Sequence, residues 1–104
     1  MNKDLQIAKK TVQIQIQALK KLSTSFNNSS QFSKAVNLIS KNKGKCLVVG
    51  VGKSYLIGLK IAATLSSLGT PSVAFSANDL QHGGLGAIQK NQDILLVFSV
   101  SGES

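Results

Sequence analysis

The sequence predicts an α/β domain built on a parallel sheet, and three observations carry that prediction. Short apolar runs at residues 45–49, 72–75 and 93–98 have the length and composition of buried strands. Between the first two, Ile57, Ile61, Leu65 and Leu68 recur at helical spacing. A glycine-rich turn, Gly50-Val51-Gly52-Lys53-Ser54, joins the first run to that helix. Strand, helix, strand, short helix, strand is the order of a parallel βαβαβ unit. Ligands of such sheets sit beyond the carboxyl ends of the strands. Here those ends carry the 50–54 turn, the stretch Ser76 to Asp79, and the terminal loop Ser99-Val100-Ser101-Gly102-Glu103-Ser104.

Each element has its own signal. From Asp4 to Leu22, the residues Leu5, Ala8, Val12, Ile16, Leu19 and Leu22 form one stripe of an amphipathic helix. Ile7 and Ile14 lie off that stripe and offer a second apolar face for oligomer packing. The alternation Val12-Gln13-Ile14-Gln15-Ile16 also fits a short strand, but the longer repeat around it favours helix. Asn27-Asn28-Ser29-Ser30 is a polar break whose serines cap a second helix carrying Phe32, Ala35, Val36 and Ile39. Lys41-Asn42-Lys43-Gly44 ends it. Lys45 to Val49 is the first strand, and the helix after the glycine turn presents Ile57, Ile61, Leu65 and Leu68 as its inner face. Gly69, before Thr70-Pro71, is placed for a left-handed cap. Ser72 to Phe75 is the second strand, Ala77 to Gln81 a helical turn or loop, and His82-Gly83-Gly84-Leu85-Gly86 a bend. Asp93 to Phe98, nearly all apolar, reads as a strand buried on both faces.

A chain of 104 residues, 42% of them apolar, supports at most one domain. Its core buries roughly 60 to 65% of the unfolded surface. The net charge of +8 comes from lysine alone, against four acids. That balance raises nucleic acid as a partner. Arginine is absent, however, and the lysines are scattered from Lys3 to Lys90 without interleaved aromatics, so solvated helix faces account for them better. Cys46 is the only cysteine. It reads as a buried structural thiol in a reducing compartment. No secretory signal is read in the first 22 residues, and Tyr55 to Leu68 is too short to span a membrane. The expected setting is the cytoplasm, without membrane attachment. The end of the sequence is unusual, a polar loop after a core strand where another helix is due. It reads as a truncated domain whose three-stranded sheet leaves an open edge.

The 50–54 turn suits a phosphate, because glycines admit backbone N–H groups close to an anion while the following helix, lysine and serine add positive charge and a hydroxyl. It is not a complete nucleotide loop. The glycine required six positions before Lys53 is Leu47, and the third glycine of a dinucleotide fingerprint is replaced by Tyr55. Alone, the turn reads equally as a tight strand-to-helix connection. The serine loop at Ser99, Ser101 and Ser104 adds a second anion cradle, or else is a disordered tail. His82, the only histidine, sits among glycines where its imidazole is presented as an acid or base, although a lone histidine is more often merely exposed. One His, one Cys and scattered acids make no metal-ligand set, and no cofactor is implied. There is no Gly-x-Ser-x-Gly elbow for a serine hydrolase.

In order, Gly50-Val51-Gly52-Lys53-Ser54, Lys60-Ile61-Ala62-Ala63-Thr64-Leu65, Gly69-Thr70-Pro71, His82-Gly83-Gly84-Leu85-Gly86 and Ser99-Val100-Ser101-Gly102-Glu103-Ser104 resemble a sugar isomerase (SIS) domain, most nearly those of bacterial arabinose 5-phosphate isomerases. The likeness covers about residues 40 to 104. It implies an N-terminal helical segment over 1–40 and the first part of a flavodoxin-like three-layer α/β/α SIS domain over 41–104, with its parallel sheet incomplete. It also implies a dimer or tetramer. The implied ligand is a sugar phosphate, and the implied reaction is interconversion of D-arabinose 5-phosphate and D-ribulose 5-phosphate on the route to the Kdo sugar of lipopolysaccharide. By position, Lys53 and His82 are the implied catalytic residues. Gly52, Ser54, Ser99, Ser101 and Ser104 are the implied phosphate ligands.

Glu103 belongs to the loop motif, whereas the family's base lies further along than Ser104, so the chain alone is expected to be inactive. Gly84 stands where the family usually carries aspartate, and Val100 replaces a polar residue. Both remove polar groups near the implied sugar. They suit the alternative of a regulatory SIS module that binds sugar phosphate without chemistry.

Overall fold

The computed structural model describes residues 2–89 and 92–99. Backbone contacts divide the chain between Ala35 and Val36 into two compact units. Helix α1 (Lys3–Ser25) begins at Asn2, whose Oδ1 accepts the Leu5 N–H at 2.8 Å. It runs unbroken through Val12 to Ile16, so the longer repeat prevails over local alternation. Neither of its apolar stripes is buried, and Leu5, Ile7, Val12, Ile14, Ile16, Leu19 and Leu22 all remain exposed. At the polar break the rings of Phe26 and Phe32 meet with centroids 5.0 Å apart. The Ser29 hydroxyl accepts the Phe32 N–H at 3.4 Å at the start of α2 (Ser30–Ser40).

The second unit is built around β1 (Cys46–Gly50), the middle strand of a three-stranded parallel sheet in the order β2-β1-β3. β2 (Ser72–Ser76) pairs Cys46 with Ser72 and Gly50 with Ser76, and β3 (Ile94–Val97) pairs Cys46 with Ile94 and Val49 with Val97. The whole of β1 is buried, as its run of apolar residues requires. Cys46 and Val48 face helix α3 (Lys53–Ser67), forming a core with Ala62 that Leu65, Ala74, Leu96 and Phe98 extend. Burial pushes the Cys46 thiol upward, partly offset by a hydrogen bond from Ser72.

Two expectations are corrected by this packing. The inner face of α3 consists of Gly58, Ala62 and Leu65, whereas Ile57 and Leu68 are 57% and 77% exposed. The cause is close approach. A Cβ at Gly58 would lie 3.1 Å from Val48 Cγ1, so small residues bring the helix onto the sheet while the larger ones turn outward. β3 is likewise not buried on both faces. Leu95 and Val97, opposite Leu47 and Val49, are exposed on the same face as Val73, because α3 covers only the face shared by Cys46 and Val48.

The helix end follows its sequence signal closely. Gly69 has φ +99°, its N–H donates to Ser66 O at 3.2 Å, and the Thr70 N–H donates to Leu65 O at 2.9 Å. That pair of bonds is a Schellman cap. The Ser66 hydroxyl then bonds both the N–H and the carbonyl of Ser72, fixing where β2 begins.

At the amino-terminal end of the sheet, the Asp93 carboxylate accepts the Lys45 ammonium and the Lys45 N–H at 2.8 Å each, and the Gln89 N–H at 2.7 Å. Its side chain is only 1% exposed. The Lys45 side-chain bond, then the Gln89 and Lys45 backbone bonds, lower its pKa from 3.8 to about 2. A depressed carboxyl pKa stabilises the fold fully above the unfolded value, and that contribution disappears as pH falls through the folded one. The melting temperature of the chain is therefore expected to drop between about pH 4 and pH 2, and Asp93→Asn to flatten that slope, as followed by circular dichroism. An unchanged slope in the variant would assign the acid sensitivity elsewhere.

Candidate functional site

The strand order places a topological switch point beside β1. From its carboxyl end the chain passes through α3 to β2 on one side, and later reaches β3 on the other. The carboxyl ends of β1 and β3 are thus neighbours at the point where the strand order reverses, the place at which ligands of such sheets bind. The 50–54 turn follows the end of β1 and Ser99 follows the end of β3.

Two glycines shape the turn for different reasons. A Cβ on Gly50 would lie 2.6 Å from Ser54 C and 2.8 Å from both Ser54 O and Tyr55 N, all backbone atoms. Gly50 therefore lets the first turn of α3 sit directly on the end of β1. Gly52 has open space around it but adopts φ +56° and ψ −122°, a conformation that side-chain-bearing residues avoid. The Ser54 N–H donates to Val51 O and the Tyr55 N–H to Gly52 O, both at 3.1 Å. The N–H groups of Gly52 and Lys53 have no acceptor among the described residues. Those two donors, at the positive end of a 15-residue helix, are available to an anion.

Lys53 is the first residue of α3, exposed and in no ion pair among the described residues. Ser54, beside it, is half-buried. β2 ends at Ser76, whose hydroxyl accepts the Asp79 N–H at 3.1 Å and so caps the short helix α4 (Ala77–Gln81). His82 closes that helix. Its N–H donates to Asn78 O at 3.1 Å and Asp79 O at 3.2 Å, leaving its side chain exposed one helical turn beyond the carboxyl end of β2.

Ser99 is half-buried, next to Phe98, whose N–H continues the sheet by donating to Val49 O at 2.9 Å. Gly52, Lys53, Ser54, His82 and Ser99 are thus attached to the same end of one sheet. Ser101 and Ser104 lie outside the described residues. Ser76 and Gly50 are not among the site residues implied by sequence; a serine just before a predicted helical turn is the available signal for the first. No cluster of three His, Cys, Asp or Glu side chains suited to a metal occurs among the described residues.

Comparison with known proteins identifies the family. Residues 38–104 match the SIS domain family model. The chain belongs to the SIS domain family. It is 43% identical over 99 residues to an arabinose 5-phosphate isomerase of Yersinia pestis, covering 95% of this chain and 29% of that protein. A Pseudomonas aeruginosa arabinose 5-phosphate isomerase is 47% identical over 73 residues, covering 70% of this chain and 22% of its own length. The chain thus spans less than a third of these relatives. Among solved structures, an Escherichia coli CFT073 protein in complex with arabinose 5-phosphate superposes with a TM-score of 0.88 at 31% identity, over 100% of this chain and 55% of that one. The α/β fold with a parallel sheet is that of the SIS domain, present here in part.

Proposed function

We propose that this chain forms the sugar-phosphate-binding part of an aldose–ketose isomerase that interconverts D-arabinose 5-phosphate and D-ribulose 5-phosphate, in the supply of Kdo for lipopolysaccharide. The observation that carries this reading is the 50–54 turn at the switch point. There, two N–H groups without an acceptor among the described residues lie at the start of α3 together with Lys53. Its likeness to a structure bound to arabinose 5-phosphate supports the choice of ligand. In this reading Gly52, Ser54, Ser99, Ser101 and Ser104 hold the phosphate with hydroxyl and amide donors. Isomerisation moves a proton between C1 and C2 through an enediol, so charge develops on the substrate oxygens. Lys53 stabilises that oxyanion, and His82 exchanges protons in ring opening or catalysis.

The second reading, a sugar-phosphate-binding regulatory module, is favoured by one observation. A side chain at Gly84, where the resemblance implies aspartate, would collide with the Asp79 carbonyl. The His82 loop is therefore built differently from that pattern.

The double apolar face of α1 supports assembly of copies as a dimer or tetramer. Leu5, Ile7, Val12, Ile14, Ile16, Leu19 and Leu22 all leave apolar surface exposed along it. The unpaired Cys46 thiol fits a cytoplasmic setting. No described helix is long and apolar enough to cross a membrane.

Calorimetric titration is expected to show saturable binding of D-arabinose 5-phosphate that inorganic phosphate competes away. The same sample is expected to sediment well above the 10.9 kDa monomer mass. Absence of saturable binding would end the ligand assignment, and a monomeric sample the assembly.

A further inference from the structure

We propose that Gly84 is a positioning residue for His82, holding the imidazole at the sugar end of the site by letting the 82–86 bend fold back on α4. Its link to a sugar rests on the functional reading above; its link to His82 rests on geometry alone.

α4 is a single short helix pinned at its start by the Ser76 cap and at its end by the two bonds from the His82 N–H. Immediately after His82 the backbone reverses at Gly83, with φ +121°. The reversal carries Gly84 against the last turn of α4. There a Cβ would lie 2.9 Å from Asp79 O, 3.3 Å from Asp79 C and 3.4 Å from Leu80 Cδ1. The first contact is shorter than real Cβ atoms show, and it is made to backbone that already accepts the His82 N–H. A side chain at 84 therefore has to push the bend off α4 or pull the Asp79 carbonyl away from His82. Either movement displaces His82, whose position depends on that same carbonyl.

Gly86 provides an internal contrast in the same bend. Its N–H closes the turn onto Gly83 O at 3.2 Å, yet a Cβ there meets nothing within 4 Å and its φ is ordinary. The requirement for a bare α-carbon is thus local to Gly83 and Gly84. At Gly83 it is conformational, and at Gly84 it is contact with the carbonyl that fixes His82.

His82 is the only histidine, so its imidazole signals in a carbon–proton NMR spectrum of the full chain need no assignment. Gly84→Ala and Gly86→Ala are compared with the unaltered chain at one fixed pH, each also titrated with D-arabinose 5-phosphate and with inorganic phosphate. Gly84→Ala is expected to shift the imidazole resonances and weaken arabinose 5-phosphate binding about tenfold or more. Its affinity for inorganic phosphate should stay unchanged, since the 50–54 turn is untouched. Gly86→Ala is expected to match the unaltered chain in all three readouts. Wild-type imidazole resonances in Gly84→Ala would overturn the proposal, as would equal shifts in Gly86→Ala. Loss of the β1 and α3 amide signals in Gly84→Ala would also overturn it, by making Gly84 a determinant of the whole fold. If the unaltered chain binds arabinose 5-phosphate no better than phosphate, the functional reading fails, while the imidazole comparison still decides the role of Gly84.

Discussion

Gly50→Ala is expected to destabilise the chain by about 3 kcal/mol or more, the upper range for overpacking. The methyl group would meet Ser54 C, Ser54 O and Tyr55 N at 2.6 to 2.8 Å, and none of these atoms belongs to a side chain that can rotate away. Relief requires moving the first turn of α3, and α3 is locked to β1 further along, where Gly58 rests on Val48. The central strand has no room to yield, being buried along its whole length. Alanine restricts the unfolded chain and so returns about 0.4 to 1 kcal/mol, too little to offset the collision. Gly52→Ala makes a useful comparison because its cost is purely conformational, about 1 to 3 kcal/mol for backbone held at φ +56° with no steric partner. Urea denaturation should therefore rank Gly50→Ala below Gly52→Ala, and both below wild type. Equal midpoints for Gly50→Ala and wild type would show that α3 is not seated on the strand end as described.

Much of this architecture is legible in the sequence because its signals are local. Ser29 and Gly69 mark helix boundaries through bonds to residues within five positions, and Cys46 to Val49 is apolar without interruption. The parallel βαβαβ order follows from those boundaries and the spacing between strands. What depends on distant partners is not legible in the same way. Ile57 and Leu68 have the hydrophobicity of an inner face, but only the sheet shows that Gly58 and Ala62 occupy it. The apolar composition of β3 gives no sign that α3 would cover one side alone. In the site, the GVGKS turn is recognisable from residue types, whereas the need for glycine at 50 and 84 arises from backbone that returns from elsewhere in the fold. Ser76 is similar: its place at a strand end is readable, but its hydroxyl is engaged in capping α4.

Loss of turnover on removing Lys53 or His82 is the largest functional effect expected. Because the chain covers 29% of the Yersinia pestis relative, turnover is best read in a hybrid in which this chain replaces the matching segment of that isomerase. Lys53→Ala in the hybrid should lower kcat by about a hundredfold, the scale of losing one donor to a developing oxyanion. Its KM should change little, since the Gly52 and Lys53 N–H groups persist in the variant and, in the proposed site, hold the phosphate independently of the side chain. His82→Ala should also lower kcat by about a hundredfold, as for loss of a general acid or base. It should in addition alter the pH–rate profile, which Lys53→Ala leaves in place. Neither residue supports the fold, because both side chains are exposed and neither side chain bonds a described neighbour. Melting temperatures of both variants should accordingly match the parent hybrid. Unchanged kcat in both variants would remove Lys53 and His82 from the reaction. A rise in KM alone for Lys53→Ala would instead make the lysine a phosphate anchor and leave the oxyanion to other donors.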